Sequence, residues 1–106
     1  MGDAPDKPDP KGFINLSKKL LGDKLGSSNI PIGYVGDTIA DINTVVNARK
    51  EIPSQKFISI GIAPPHLHFN SRLKERDSYE KNLRNAGADL IINSIYDLKD
   101  FNFDLF

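Results

Sequence analysis

In residues 31–46 the apolar pattern changes from strand-like to helical across a single glycine turn, and few folds accommodate that change. Ile32, Tyr34 and Val35 are strand formers, bounded by Pro31 and Gly36. Beyond the turn, Ile39, Ile42, Val45 and Val46 recur at helical spacing, which predicts a helix from about Thr38 to Arg49. Arg49 and Lys50 fall at its negative end, and Pro53 forbids continuation. Asp37 stands at the turn and Asp41 lies one helical turn further on, a spacing expected to put both carboxylates on one side of the first turn. In an open α/β sheet, ligands bind outside the carboxyl ends of the strands, where Asp37 falls.

The rest of the chain repeats the alternation. Pro5, Pro8 and Pro10 mark an extended lead-in, and Asp9 with Pro10 reads as a helix start. Phe13, Leu16 and Leu20, with Ile14 and Leu21 beside them, form the expected buried stripe of that first helix, and Gly22 its cap. The run Phe57, Ile58, Ile60, Ile62 suits a strand covered on both faces. Residues 63–76 open as a proline-rich loop. Asp77 and Glu80 fit a capping box, so a third helix is expected from about Ser78 to Ala86, buried through Tyr79, Leu83 and Ala86 and stopped by Gly87. Leu90 to Ile92 is a third strand. Ser94 and Asp97 suggest a brief helical turn, and a tail with Phe101, Phe103 and Phe106 is expected to pack on the sheet. The fold class expected is α/β: a Rossmann-like three-layer α/β/α fragment with a parallel sheet of about three strands.

Composition narrows the function. The 106 residues suffice for one small domain. Fourteen basic residues balance fourteen acidic ones, so no bulk field favours nucleic acid or an anionic membrane. The absence of cysteine excludes a disulfide framework, a thiolate nucleophile and a sulfur-bound zinc. No apolar run approaches transmembrane length and no signal-peptide pattern opens the chain, so the cytoplasm is the expected compartment.

Three residues form the candidate site. Lys7 lies in Lys-Pro-Asp-Pro at 7–10, and Asp37 and Asp41 lie in Gly-Asp-Thr-Ile-Ala-Asp at 36–41. A lysine before a helix, then a strand, then this turn closely resembles the third and fourth motifs of the haloacid dehalogenase-like phosphatase superfamily. Val-Asn-Ala-Arg at 46–49 and Gly-Ala-Asp-Leu-Ile-Ile at 87–92 also look like that family's closing half. The resemblance implies a Mg²⁺-dependent phosphatase acting on a small phosphate ester through an aspartyl-phosphate. Asp37 would be a metal ligand, Asp41 a second ligand or outer partner, and Lys7 the catalytic, phosphate-binding lysine. Phosphoryl transfer needs dispersed negative charge neutralised, which a divalent metal and a lysine do.

The resemblance has a gap. The family's nucleophile is an Asp-x-Asp on the first strand, followed by a Ser or Thr motif and a substrate-selecting cap, and none of these precedes Lys7. The chain therefore reads as the C-terminal half of such an enzyme, expected to lack turnover alone. The missing first strand would leave the edge at Ile32 to Val35 unpaired and uncharged. Leu16 and Leu20, or Val45 and Val46, would be uncovered, and self-association is expected. Two rivals stand beside this reading. One is a non-catalytic truncated or regulatory α/β module binding metal or a partner; the other is a receiver-like phosphoacceptor, disfavoured because the lysine comes first. Bland roles remain open for each residue. Asp37 and Asp41 suit a helix start, Thr38 a cap, and His66 and His68 loop chemistry. Gly33 and Gly36 do not make a dinucleotide fingerprint.

Overall fold

The computed structural model of the chain describes residues 9–27 and 30–99. In order they form helix α1 (Lys11–Leu21), strand β1 (Ile32–Gly36), helix α2 (Ile39–Glu51), strand β2 (Phe57–Ile62), helix α3 (Leu73–Ala86) and strand β3 (Leu90–Ile92). Short 3-10 turns occupy Gly22–Lys24, Pro65–Leu67, Asn70–Arg72 and Ile95–Leu98. The strands pair in parallel in the order β1-β2-β3, with Ile32 opposite Phe57 and Ile60 opposite Leu90. The arrangement is three-layer α/β/α, a parallel three-stranded sheet flanked by helices, as the alternation of periods predicts.

Side chains alternate across a strand, so Phe57 and Ile58 face opposite sides. On one side Ile32 and Phe57 pack with Phe13 and Ile14 of α1 and Val45 and Ala48 of α2. The Phe13 ring meets Tyr34 edge-on at 5.0 Å and Phe57 at 5.2 Å. On the other side Ile58, Ile60 and Ile92 cluster with Val35, Leu90 and Leu98, the last from the 3-10 turn that follows β3. The third layer, among the described residues, is that turn. β2 is buried along almost its whole length, as its continuous apolar run predicts. Among the described residues β1 pairs on one side only. The phenylalanines at 101, 103 and 106 lie outside the described residues. No described helix is long and apolar enough to cross a membrane.

Two expectations fail locally. The buried face of α1 is Phe13, Ile14 and Ser17, while Leu16 and Leu20 are 58% and 74% exposed. Ser17 donates its hydroxyl to the Phe13 carbonyl at 2.9 Å, so a small polar residue is buried with its hydrogen bond made. Helix α3 begins at Leu73, five residues before the expected Ser78, and Asp77 and Glu80 lie inside it rather than at a cap. The Asn70–Arg72 turn leads directly into the helix, and Glu75 favours the positive end while pairing with Arg72 at 2.8 Å. Its early turns are almost wholly exposed and polar, which is why the sequence there resembles a loop.

One ion pair ties the second crossover to the first. Arg49, from the last turn of α2, donates to the Asp89 carboxylate and at 2.8 Å to the Phe57 carbonyl. Asp89 also accepts from the Ser59 N–H at 2.8 Å, and its own N–H donates to the Ser59 carbonyl at 2.8 Å. The arginine of residues 46–49 and the aspartate of residues 87–92 thus meet at the entry to β3, where they fix its register against β2. Arg49 and Asp89 side chains are 35% and 27% exposed, so water screens part of the attraction. Asp89→Ala is expected to cost about 1–2 kcal/mol in urea unfolding, within the range for hydrogen bonds to charged groups; a change below about 0.5 kcal/mol would show that the tether is dispensable.

Candidate functional site

The β1–α2 turn is built around the Asp41 carboxylate. Thr38 is the N-cap of α2, and its hydroxyl oxygen accepts from the Asp41 N–H at 3.1 Å. Asp41 returns the interaction: its Oδ2 accepts from the Thr38 N–H at 3.2 Å, the Asp37 N–H at 3.1 Å and the Thr38 hydroxyl at 2.9 Å. Its Oδ1 accepts from the Tyr34 hydroxyl at 3.1 Å. The side chain is buried, with the residue only 3% exposed. A buried charge is tolerated when it is so fully hydrogen-bonded and sits at the positive end of a helix. The helix starts at Ile39, so Asp37 precedes the cap and does not share a helix face with Asp41, contrary to the expectation. The two residues are joined instead through the Asp37 N–H.

Gly36 makes this possible. A Cβ at that position would lie 2.2 Å from the Asp41 Cβ, far inside any allowed contact, and the clash is with the root of the side chain. Gly36→Ala is therefore expected to displace Asp41 and lose both the packing and the cap, at roughly 2 kcal/mol or more. Urea unfolding of this variant at wild-type stability would mean that the turn has another way to close.

Asp37 is half-buried at the carboxyl end of β1 and lines a cavity of about 510 Å³. The other walls come from the segments that follow β2 and β3. Ile62, Ala63, Pro64, Pro65 and His68 form one wall; Asn93, Ser94, Ile95 and Tyr96 form the other. The His68 Nε2–H donates to the Ala63 carbonyl at 2.7 Å, since a carbonyl can only accept. His66 is exposed in the Pro65–Leu67 turn and is not part of the lining.

Tyr79 of α3 holds the turn from the other side, donating its hydroxyl to the Asp37 carbonyl. Its pKa is raised above 10.0, first by desolvation and then by the nearby charges of Asp37 and Asp41. The folded chain thus keeps a proton that the unfolded chain releases near pH 10. This contribution to stability is complete below the unfolded value and is lost as pH rises through the raised folded value. Tyr79→Phe is expected to remove that alkaline loss from a pH series of unfolding midpoints; an unchanged alkaline limb would assign the loss to other groups.

Lys7 lies outside the described residues. Of the three sequence-predicted site residues, the structure thus places Asp37 at the cavity and Asp41 beneath the turn. Among the described residues no group of three or more His, Cys, Asp or Glu side chains could hold a metal ion. Sequence reasoning did not pick out Tyr34, Tyr79, Asn93, Ser94, Ile95 or Tyr96 as site residues. The signal that finds the last four is topological: in a parallel sheet, the segments after adjacent strands meet at one end. Compared with protein-family models, with curated proteins and with solved structures, the chain matches none.

Proposed function

We propose that the chain is the closing half of a haloacid dehalogenase-like phosphatase, serving Mg²⁺-dependent hydrolysis of a small phosphate ester. The observation that carries this reading is the placement of Asp37. Its carboxylate belongs to the residue that follows β1, at a cavity formed with the segments after β2 and β3. The strand order supports it too, because β1 has one partner among the described residues and its other side is where a nucleophile-bearing strand would pair.

The residues fit a hydrated Mg²⁺ in part. Asp37 offers hard oxygen at a half-exposed position, and one carboxylate with water and substrate phosphate oxygens suffices for this ion. Asp41 already accepts four hydrogen bonds, so its role here is the outer one: it orients Asp37 through the Asp37 N–H. When bound, the metal would supply charge neutralisation for the phosphoryl group. Lys7 would, by resemblance, contact the phosphate. The 106 residues contain no Asp-x-Asp, so an aspartyl-phosphate step requires a nucleophile from outside them.

The second reading, a non-catalytic module, has its own support. The capping box gives Asp41 a complete structural reason for its place, independent of metal. Mn²⁺ titration followed by water-proton relaxation separates the two. Under the phosphatase reading Mn²⁺ binds weakly, Asp37→Asn weakens it more than Asp41→Asn does, and the 106-residue polypeptide does not turn over p-nitrophenyl phosphate. Equal Mn²⁺ binding by wild type and both variants would remove the metal site; turnover abolished by Asp37→Asn would instead mean that these residues carry the whole reaction.

A further inference from the structure

Beyond the carboxylate, the cavity at the end of the sheet is chemically one-sided. Ile62, Ala63, Pro64 and Pro65 wall it after β2, and Ile95 and Tyr96 after β3. Against these, the polar side chains are few: Asp37 at the β1 end, His68, Asn93 and Ser94. Two of them are partly committed. The His68 Nε2–H is bonded to the Ala63 carbonyl, and Ser94 Oγ accepts from the Tyr96 N–H at 3.2 Å.

The rim is also built to stay where it is. Ser94 opens the Ile95–Leu98 turn with a capping box, and the Asp97 carboxylate accepts from the N–H groups of Asn93 at 2.9 Å and Ser94 at 3.1 Å. This fixed turn holds Ile95 and Tyr96 outward, 58% and 86% exposed, beside the cavity rather than in the core. A capped turn whose two large apolar residues face solvent at a cavity mouth gains nothing for folding from that exposure. Its size, about 510 Å³, lies within the range of small-molecule sites.

We infer that the organic part of the ligand is a flat, apolar ring, seated between the Pro64–Pro65 wall and Tyr96, with its charged end toward Asp37. A polyhydroxylated sugar suits these walls poorly, because its hydroxyls would lose water against proline, isoleucine and a tyrosine face without equivalent partners. A ring of one or two fused cycles exchanges hydration for apolar and stacking contact. The phosphate at the charged end rests on the function proposed above; the ring's seat does not.

The test uses the 106-residue chain and four probes: 1-naphthol, 1-naphthyl phosphate, glucose 6-phosphate and inorganic phosphate, each titrated with and without Mg²⁺ and followed by backbone amide shifts. 1-Naphthol is expected to shift the amides of Ala63, His68 and residues 93–96 with or without metal. 1-Naphthyl phosphate should bind more tightly with Mg²⁺, and glucose 6-phosphate at least tenfold more weakly than it. Tyr96→Ala and Ile95→Asp change exposed side chains and so spare the fold; each should weaken 1-naphthol about 3- to 10-fold. If 1-naphthol binds but Mg²⁺ adds nothing to 1-naphthyl phosphate, the ring seat stands and the phosphatase reading falls. Glucose 6-phosphate binding as tightly as 1-naphthyl phosphate overturns the inference, as does 1-naphthol leaving those amides unmoved. Self-association that buries Ile95 and Tyr96 in place of ligand would overturn it as well.

Discussion

The Asp41 carboxylate is the point on which the end of the sheet depends. It closes the helix start, receives the Tyr34 hydroxyl from the strand and takes the N–H of Asp37. A strand can pass into a helix this tightly only if the first N–H groups of the helix find acceptors, since they have none within it. Thr38 supplies that acceptor to the Asp41 N–H, the Asp41 carboxylate takes the Asp37 and Thr38 N–H groups just before the helix, and Gly36 supplies the space. The consequence is a division between two carboxylates. One is buried and saturated, so the other does not have to cap the helix and is left at the cavity. Had Asp37 been the cap, its oxygens would have been turned to the backbone and away from any ligand.

The same logic runs through the rest of the sheet's upper end. Each segment beyond a strand carries a local polar device in addition to what it buries. Thr38 and Asp41 fix the first, the His68 bond to Ala63 the second, and Ser94 with Asp97 the third. Tyr79 joins the first of these to α3. Apolar side chains can therefore remain exposed around the cavity without the loops collapsing onto one another. At the opposite end the order is held by Arg49 and Asp89, and by Gln55, which accepts from the Gly26 N–H at 2.9 Å and donates to the Ile30 carbonyl at 2.8 Å. β2 is thus tied near its start by side chains reaching its neighbours, and along its length by the backbone ladder to β1 and then β3.

The elements legible in the sequence were those whose burial follows from their own pattern. β1, β2 and β3 carry strand-forming apolar runs and α2 a helical period, whose Ile42 and Val45 are buried while Ile39 is exposed, and the bounds of all four follow within about two residues. The Ser94–Asp97 turn was legible because its capping box is local. The start of α3 was not, since its first turns are polar on nearly every side and contribute no period. The face of α1 was misread for a related reason. Leucine dominates a hydrophobic count, whereas the buried Ser17 is visible only once its bond to the Phe13 carbonyl is drawn. At the site, Asp37 was legible from the strand-to-helix switch. The cavity was not, because it needs β2 and β3 in register before Ala63 and Asn93 can be placed on one side of it.

The exposed leucines and the side of β1 without a partner among the described residues belong to one physical picture. In a parallel strand the residues alternate in which neighbour they bond. The Ile32 N–H donates to the Lys56 carbonyl at 2.9 Å, so Ile32, Tyr34 and Gly36 serve β2, and Gly33 and Val35 direct their N–H and C=O groups outward. Helix α1 sits over β1 through Phe13, which touches Tyr34. Around its axis Leu16 and Leu20 flank Phe13 on the side away from Ile14, at 100° per residue. An outward-facing row of backbone groups and an adjoining apolar flank on the covering helix are what the inner boundary of a wider α/β sheet presents. An edge adapted to solvent would carry charge or proline within the strand, and Ile32–Gly36 has neither. The composition of this one strand is thus that of an inner strand, with Gly33 and Val35 on the side that has no partner among the described residues.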